Sequence, residues 1–145
     1  MRILCVCLGN ICRSPMAEGV LRTKAAQSGL EVLVDSAGTG AWHVGNPPDP
    51  RGLAAAMARG YDNSAQRARK VAAQDFTTFD IVLAMDASNL TNLQGLAPPG
   101  TTAEIRMLHP DGADIPDPYY GGPEGFETVL DMLEMSADKF LVTLR

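Results

Sequence analysis

Arg2 to Cys7 is apolar without alternation, stops at Gly9-Asn10, and is followed from Ser14-Pro15 by a helical pattern. No other feature of the chain constrains its fold as strongly. A strand that is apolar on both sides must be covered on both sides, which is the habit of parallel sheets. Gly9-Asn10 forces a loop. Ser14 is expected to cap the next helix, with Pro15 at its first position, where a missing N–H is harmless. Met16, Ala17, Val20 and Leu21 form the apolar stripe of that helix, and Gly29 ends it. Val32 to Asp35 reads as a second strand, so the opening is a βαβ unit with parallel pairing and a right-handed crossover.

The same alternation continues. Ser36 to Asp49 is a long Gly- and Pro-rich loop carrying Trp42, the single tryptophan. Asp49-Pro50 is a second cap and helix start that stops at Gly60. Asp80 to Met85 is a third strand, Asp86 to Gly95 a helix opened by Asp86 or Ser88, and Glu104 to Leu108 a fourth strand after a Pro-Pro-Gly turn. His109 to Gly125 is polar and turn-rich and reads as an irregular loop. Phe126, Val129, Leu130, Leu133, Ala137, Phe140, Leu141 and Leu144 recur at helical spacing. The expected fold is α/β, an open four-stranded parallel sheet with helices on both faces. Residues 1–145 form one domain, with no repeat or linker. Such sheets bind ligands beyond the carboxyl ends of their strands, where Cys7 stands.

With a net charge of −5, the chain is a poor general binder of nucleic acid or anionic membrane, so any anion site must be local. The three cysteines crowd into the first twelve residues, unlike a disulfide framework, and favour a reducing cytoplasm. The opening apolar run lacks a small-residue cleavage pattern and is not read as a signal peptide. No stretch has the length of a membrane span.

The loop Cys7-Leu8-Gly9-Asn10-Ile11-Cys12-Arg13-Ser14 is the chemical centre. Successive N–H groups feeding a helix N-terminus can wrap a tetrahedral oxyanion. Arg13 adds a planar fork for two phosphate oxygens. The same donors favour the thiolate of Cys7, which could attack phosphorus from beneath and form phosphocysteine. Ser14 could donate to the Cys7 sulfur. Asn10 suits a left-handed backbone and could tie the loop to Ser36. Cysteine and arginine at this spacing are weak evidence alone, and a strand-end cysteine is often a small buried hydrophobe. The preceding strand, Ser14-Pro15 and the helix make the pattern specific. A zinc site from Cys5, Cys7 and Cys12 with His43 or His109 is disfavoured. The spacing lacks the usual hook, and three thiolates would repel the anion.

Expelling a phenoxide or alkoxide needs a proton, and Asp117 is the candidate acid, later the base that activates water. Pro118 stiffens its approach. Tyr119 and Tyr120 can line a slot for a phenyl ring, opposed by Trp42, with an exposed His43 at the rim. Trp42 could equally be an anchor for its loop. Arg67, Arg69 and Lys70 read as a solvated face.

Together these residues resemble the low-molecular-weight protein tyrosine phosphatases, over essentially the whole chain. Asp35-Ser36-Ala37-Gly38, Trp42 and Met85-Asp86-x-Ser88-Asn89-Leu90 also look like family positions. The resemblance implies cofactor-free hydrolysis of phosphotyrosine, with Cys7 as nucleophile, Arg13 as phosphate clamp and Asp117 as general acid. It also implies a second loop cysteine, Cys12, able to form a reversible disulfide with Cys7 that guards it from over-oxidation. Some relatives carry a loop-supporting histidine near Gln66, a position where this chain departs from them. The partners implied are tyrosine-phosphorylated proteins, a tyrosine kinase among them, and the default state is a monomer. Arsenate reductases share the loop but need further cysteines downstream, and none follows Cys12. Arginine phosphatases of the fold typically have a small polar residue at Ile11. An idle phosphotyrosine-binding module would not need Cys7, Arg13 and Asp117 together.

Overall fold

The computed structural model describes residues 1–144, so Arg145, the last residue of the expected domain, lies outside it. Strands β1 (Arg2–Cys7), β2 (Leu33–Gly38), β3 (Ile81–Ala84) and β4 (Glu104–Met107) form one sheet in the order β2-β1-β3-β4. Every pairing is parallel, with Cys7 opposite Gly38 and Val6 opposite Ala84 at the carboxyl ends. Helices α1 (Arg13–Gln27), α2 (Pro50–Ala58), α4 (Ala87–Leu96) and α5 (Pro123–Val142) connect and cover the strands, with α3 a single turn at Asp75–Thr78.

The uniform apolarity of β1 reflects two cores. Ile3, Cys5 and Cys7 point to one face, where they join Met16, Val20 and Leu21 of α1 and Phe126, Leu130 and Leu133 of α5. Leu4 and Val6 point to the other, against Phe76, Phe79 and Leu93. Strand side chains alternate between faces, so a strand between two helical layers has no polar side to show. Phe126 is fully buried; truncating such a side chain to Ala costs about 3–5 kcal/mol.

Local chemistry sets most of the boundaries. Asp49 caps α2 by accepting from the Arg51 N–H at 2.9 Å, with Pro50 as first residue. Asp86, not Ser88, caps α4, accepting from the Asn89 N–H at 2.7 Å. Gly29 closes α1 with φ of +70°, the left-handed value a helix C-terminus favours in glycine.

Four expectations are corrected. Ser14 is not the cap of α1: Cys12 occupies that position without a side-chain cap bond, and the Ser14 hydroxyl turns inward to other partners. β2 runs on to Gly38, because pairing with β1 continues to Cys7. α5 begins at Pro123, since proline and an acidic first turn suit a helix N-terminus as well as a loop. Arg69 does not belong to a solvated face. It is half-buried and paired with Asp35 at 3.1 Å and Asp75 at 2.9 Å. Among the described residues no helix is long and apolar enough to cross a membrane.

Candidate active site

The end of β1 opens into a cleft of about 330 Å³ lined by Cys7, Leu8, Gly9, Ile11, Cys12, Arg13, Trp42, His43, Asp117, Tyr119 and Tyr120. Its floor is the loop between β1 and α1, and external donors hold that loop by its carbonyls. The N–H groups of Thr39 and Gly40 donate to the carbonyls of Cys7 and Leu8 at 3.0 and 2.9 Å, and the Asp49 N–H donates to Ile11 at 2.8 Å. Among the described residues, none of the N–H groups from Gly9 to Arg13 donates to a backbone carbonyl. A row of unspent donors at a helix N-terminus is the physical basis of an anion cradle. Gly38 makes the close approach possible, since a Cβ there would meet the Leu8 carbonyl oxygen at 2.8 Å.

Asn10 supports the loop from behind. Its φ of +57° is left-handed. Its Nδ2 donates to the hydroxyls of Ser14 at 2.8 Å and Ser36 at 3.0 Å, and its Oδ1 accepts from the Arg69 N–H at 2.9 Å. Ser14 Oγ lies 3.0 Å from Cys7 Sγ. The side chains of Asn10 and Ser14, grouped with the anion-contacting residues from sequence, are buried, and neither lines the cleft. The Ser36 hydroxyl donates to Glu18 Oε1 at 2.7 Å, and Glu18 is also bonded by Arg22. Burial pushes the Glu18 carboxyl up, against the pull of Ser36 and Arg22. Gln66 donates to the Pro15 carbonyl at 3.2 Å and to Asn63 Oδ1 at 3.1 Å, so it braces α1 rather than the loop itself.

Arg13 is only 3 % exposed. One end of its guanidinium is fixed: Nη1 donates to Asp86 Oδ2 at 2.6 Å and to the Ile115 carbonyl at 3.0 Å. The Nε has no hydrogen-bond partner among the described residues. Nη2 faces Asp117 Oδ2 at 3.6 Å, beyond a good hydrogen bond. The Nε–Nη2 edge of a buried fork is therefore free for two oxygens of a tetrahedral anion. Asp86 is the residue that sequence reading left out of the site. The available signal was its place at the carboxyl end of the strand next to β1, with one carboxylate oxygen left over after capping.

The walls differ from expectation in one respect: His43 is half-buried against Gly9 rather than exposed. Trp42 is 72 % exposed and lies on Gly40, and Tyr120 is 93 % exposed. Tyr119 and Tyr120 meet edge to face with ring centres 4.9 Å apart. Asp117 sits between floor and walls, its side chain 38 % exposed and its Oδ1 accepting from the Tyr119 N–H at 3.0 Å. Burial, with the nearby Asp49 carboxylate adding to it, pushes the Cys12 thiol up to about 12, so Cys12 stays neutral beside the anion cradle. Cys5 is fully buried in the core.

The family model for low molecular weight phosphotyrosine protein phosphatase matches residues 2–145. A Schizosaccharomyces pombe protein named low molecular weight phosphotyrosine protein phosphatase is 44 % identical over 99 % of this chain and 97 % of its own length. The crystal structure of an Entamoeba histolytica protein tyrosine phosphatase with Hepes in its active site superposes with a TM-score of 0.93. It is 37 % identical, and the match covers 99 % of this chain and 96 % of that one. The structure of a Drosophila arginine phosphatase superposes with a TM-score of 0.94 at 35 % identity, covering 100 % and 98 % of the two chains.

Proposed function

The chain belongs to the low molecular weight phosphotyrosine protein phosphatase family, and from that premise we propose how its residues divide the work. The protein is a cysteine-dependent protein tyrosine phosphatase, a phosphoric monoester hydrolase whose substrates are proteins carrying phosphotyrosine. Residues 1–145 act as one catalytic domain.

Leu8 to Cys12 and Arg13 hold the phosphate, with the free edge of Arg13 on two of its oxygens. The Cys7 thiolate attacks phosphorus in line. The S–P bond forms as the P–O bond to the tyrosyl oxygen breaks, and protonated Asp117 gives its proton to that oxygen. The protein leaves with its tyrosyl hydroxyl restored, phosphocysteine remains, and Asp117 is now a carboxylate. It takes a proton from water as the water oxygen attacks phosphorus, the S–P bond breaks, and inorganic phosphate and the Cys7 thiolate are released. Ser14, 3.0 Å from Cys7 Sγ, donates to the sulfur as attacker and as leaving group. Ile11, Leu8, Trp42, His43, Tyr119 and Tyr120 flank the phenyl ring. After peroxide converts Cys7 to a sulfenic acid, the Cys12 thiol condenses with it, releasing water and leaving a reducible disulfide. The setting is the cytoplasm, the protein a monomer, and a tyrosine kinase one of its substrates.

The observation that carries this reading is the buried Arg13 fork with its Nε unpartnered, opening on a cleft that Cys7 and Asp117 also line. Its test is phosphate release from phosphotyrosyl, phosphoarginyl and phosphoseryl versions of one peptide, with chelator present. Fast release from phosphotyrosine alone is expected. The 0.94 superposition on an arginine phosphatase favours a second reading, phosphoarginine hydrolysis with the same loop chemistry. Preferential release from phosphoarginine would establish that reading in place of the first. Release from none would overturn both.

A further inference from the structure

Asp117 lies on an irregular segment, yet its carboxylate must meet a leaving oxygen above Cys7. Upstream, the segment is well anchored. Ile115 is fully buried, its N–H donates to the Met85 carbonyl at 2.8 Å, and Asp114 accepts from the Ala87 N–H at 2.8 Å. Downstream of Asp117, among the described residues, the carbonyls are held from outside the segment by one side chain. Arg51 donates from Nη2 to the Tyr119 carbonyl at 2.8 Å and from Nη1 to the Gly121 carbonyl at 3.0 Å.

Arg51 is itself fixed on three sides. Asp49 accepts from its Nε at 3.1 Å and its Nη2 at 3.0 Å. The guanidinium carbon stands 4.8 Å from the centre of the Phe126 ring and 5.8 Å from that of Tyr119, within cation–π range. Asp49 in turn is bonded through its backbone N–H to the Ile11 carbonyl of the phosphate loop. The chain of contacts Ile11–Asp49–Arg51–Tyr119/Gly121 thus joins the loop that holds the nucleophile to the segment that holds the acid, outside the cleft. Arg51 does not line the cleft.

We propose that Arg51 is a positioning residue for the general acid, which sets the reach of Asp117 over Cys7 by clamping the Tyr119 and Gly121 carbonyls to the Asp49 strap. The inference rests on the reading of Asp117 as the acid. The fork spreads four hydrogen bonds over three nitrogens, to a carboxylate and two carbonyls, which the single nitrogen of lysine matches poorly.

The test compares kcat/KM for phenyl phosphate, whose leaving group needs a proton, with that for p-nitrophenyl phosphate, whose leaving group needs it far less. This parameter reports steps up to P–O cleavage. Arg51→Met keeps an unbranched side chain but removes the guanidinium that lies over Phe126. It is expected to lower kcat/KM for phenyl phosphate about 10- to 100-fold, the scale of a misplaced catalytic group. The loss on p-nitrophenyl phosphate is expected to stay within about 3-fold, because the acid does little there. Arg51→Lys and Asp49→Asn should show smaller losses with the same leaving-group bias, and they carry the test if Arg51→Met folds poorly. In an Asp117→Asn background, Arg51→Met should add less than about a 2-fold loss, since its effect runs through Asp117. Equal losses on the two esters, or losses that multiply with those of Asp117→Asn, would overturn the positioning role. If Asp117→Asn alone lowers both esters equally, the acid reading fails first and takes this inference with it.

Discussion

Asn10 offers the sharpest single test of how the loop is held. Its side chain makes three hydrogen bonds, to Ser14, Ser36 and the Arg69 N–H, at 2.8, 3.0 and 2.9 Å. At about 1 kcal/mol net each, their loss on truncation amounts to roughly 3 kcal/mol. Its backbone adds a second effect, because φ is +57°. A Cβ in that region costs roughly 1–2 kcal/mol, a cost that alanine keeps and glycine removes, while glycine loses about 0.5–1 kcal/mol through greater freedom when unfolded. Asn10→Ala should therefore destabilise by about 3 kcal/mol and Asn10→Gly by roughly 2–2.5 kcal/mol. For a chain of this size, the melting temperature should fall by roughly 10 °C in both, and further in the alanine variant. Urea unfolding with a common m-value would read the two energies directly. An alanine variant at least as stable as the glycine one would refute the strain argument. A loss below about 1 kcal/mol in both would refute the hydrogen-bond argument.

Other perturbations probe the charges. Asp86→Asn leaves α4 capped but removes the charge facing buried Arg13; we expect a weaker grip on phosphate, with the inhibition constant for inorganic phosphate rising about 10-fold, the scale of one charge-assisted bond. An unchanged constant would mean that Asp86 does not orient the fork. Burial by itself would raise the Asp49 carboxyl, but hydrogen bonds from Arg51 outweigh it and hold it below its ordinary 3.8. A carboxyl that ionises more readily when folded stabilises the fold above the unfolded value and loses that contribution as acid reprotonates it. The stability gap between the protein and Asp49→Asn should thus be constant from pH 7 to about 5 and narrow below pH 4; a gap independent of pH down to 3 would contradict this. With the Cys12 thiol held up to about 12, iodoacetamide should leave it unmodified at pH 7 in a Cys7→Ser variant. Rapid alkylation of Cys12, seen by mass spectrometry, would contradict this shielding.

Where one residue's chemistry decides a local feature, the sequence was readable. The two-faced core was legible in β1, the α2 cap in Asp49-Pro50, and the left-handed turn in Asn10. Pairings made across the fold were not. Ser14 is a good cap by type, but the nearby sulfur of Cys7 and the Asn10 amide compete for its hydroxyl and win. Arg69 sits in a basic run that looks solvated until the chain folds Asp35 and Asp75 beside it. Asp86 was visible as a cap, while its second oxygen found Arg13 only through the adjacency of β1 and β3. The clamp of Arg51 on Tyr119 and Gly121 uses backbone carbonyls, which carry no residue signature at all.

β1, the first strand made, lies between β2 and β3, and the bond from Arg13 to Ile115 spans 102 residues. During synthesis at roughly 5–20 residues per second, the Cys7 thiol leaves the ribosome seconds before Asp86, Asp117 or the covering helix α5 exists. Contacts so distant in sequence form late and together. A nascent or truncated chain therefore carries the nucleophile without its clamp or its acid, and hydrolytic competence waits until the segment from Asp86 through α5 has docked.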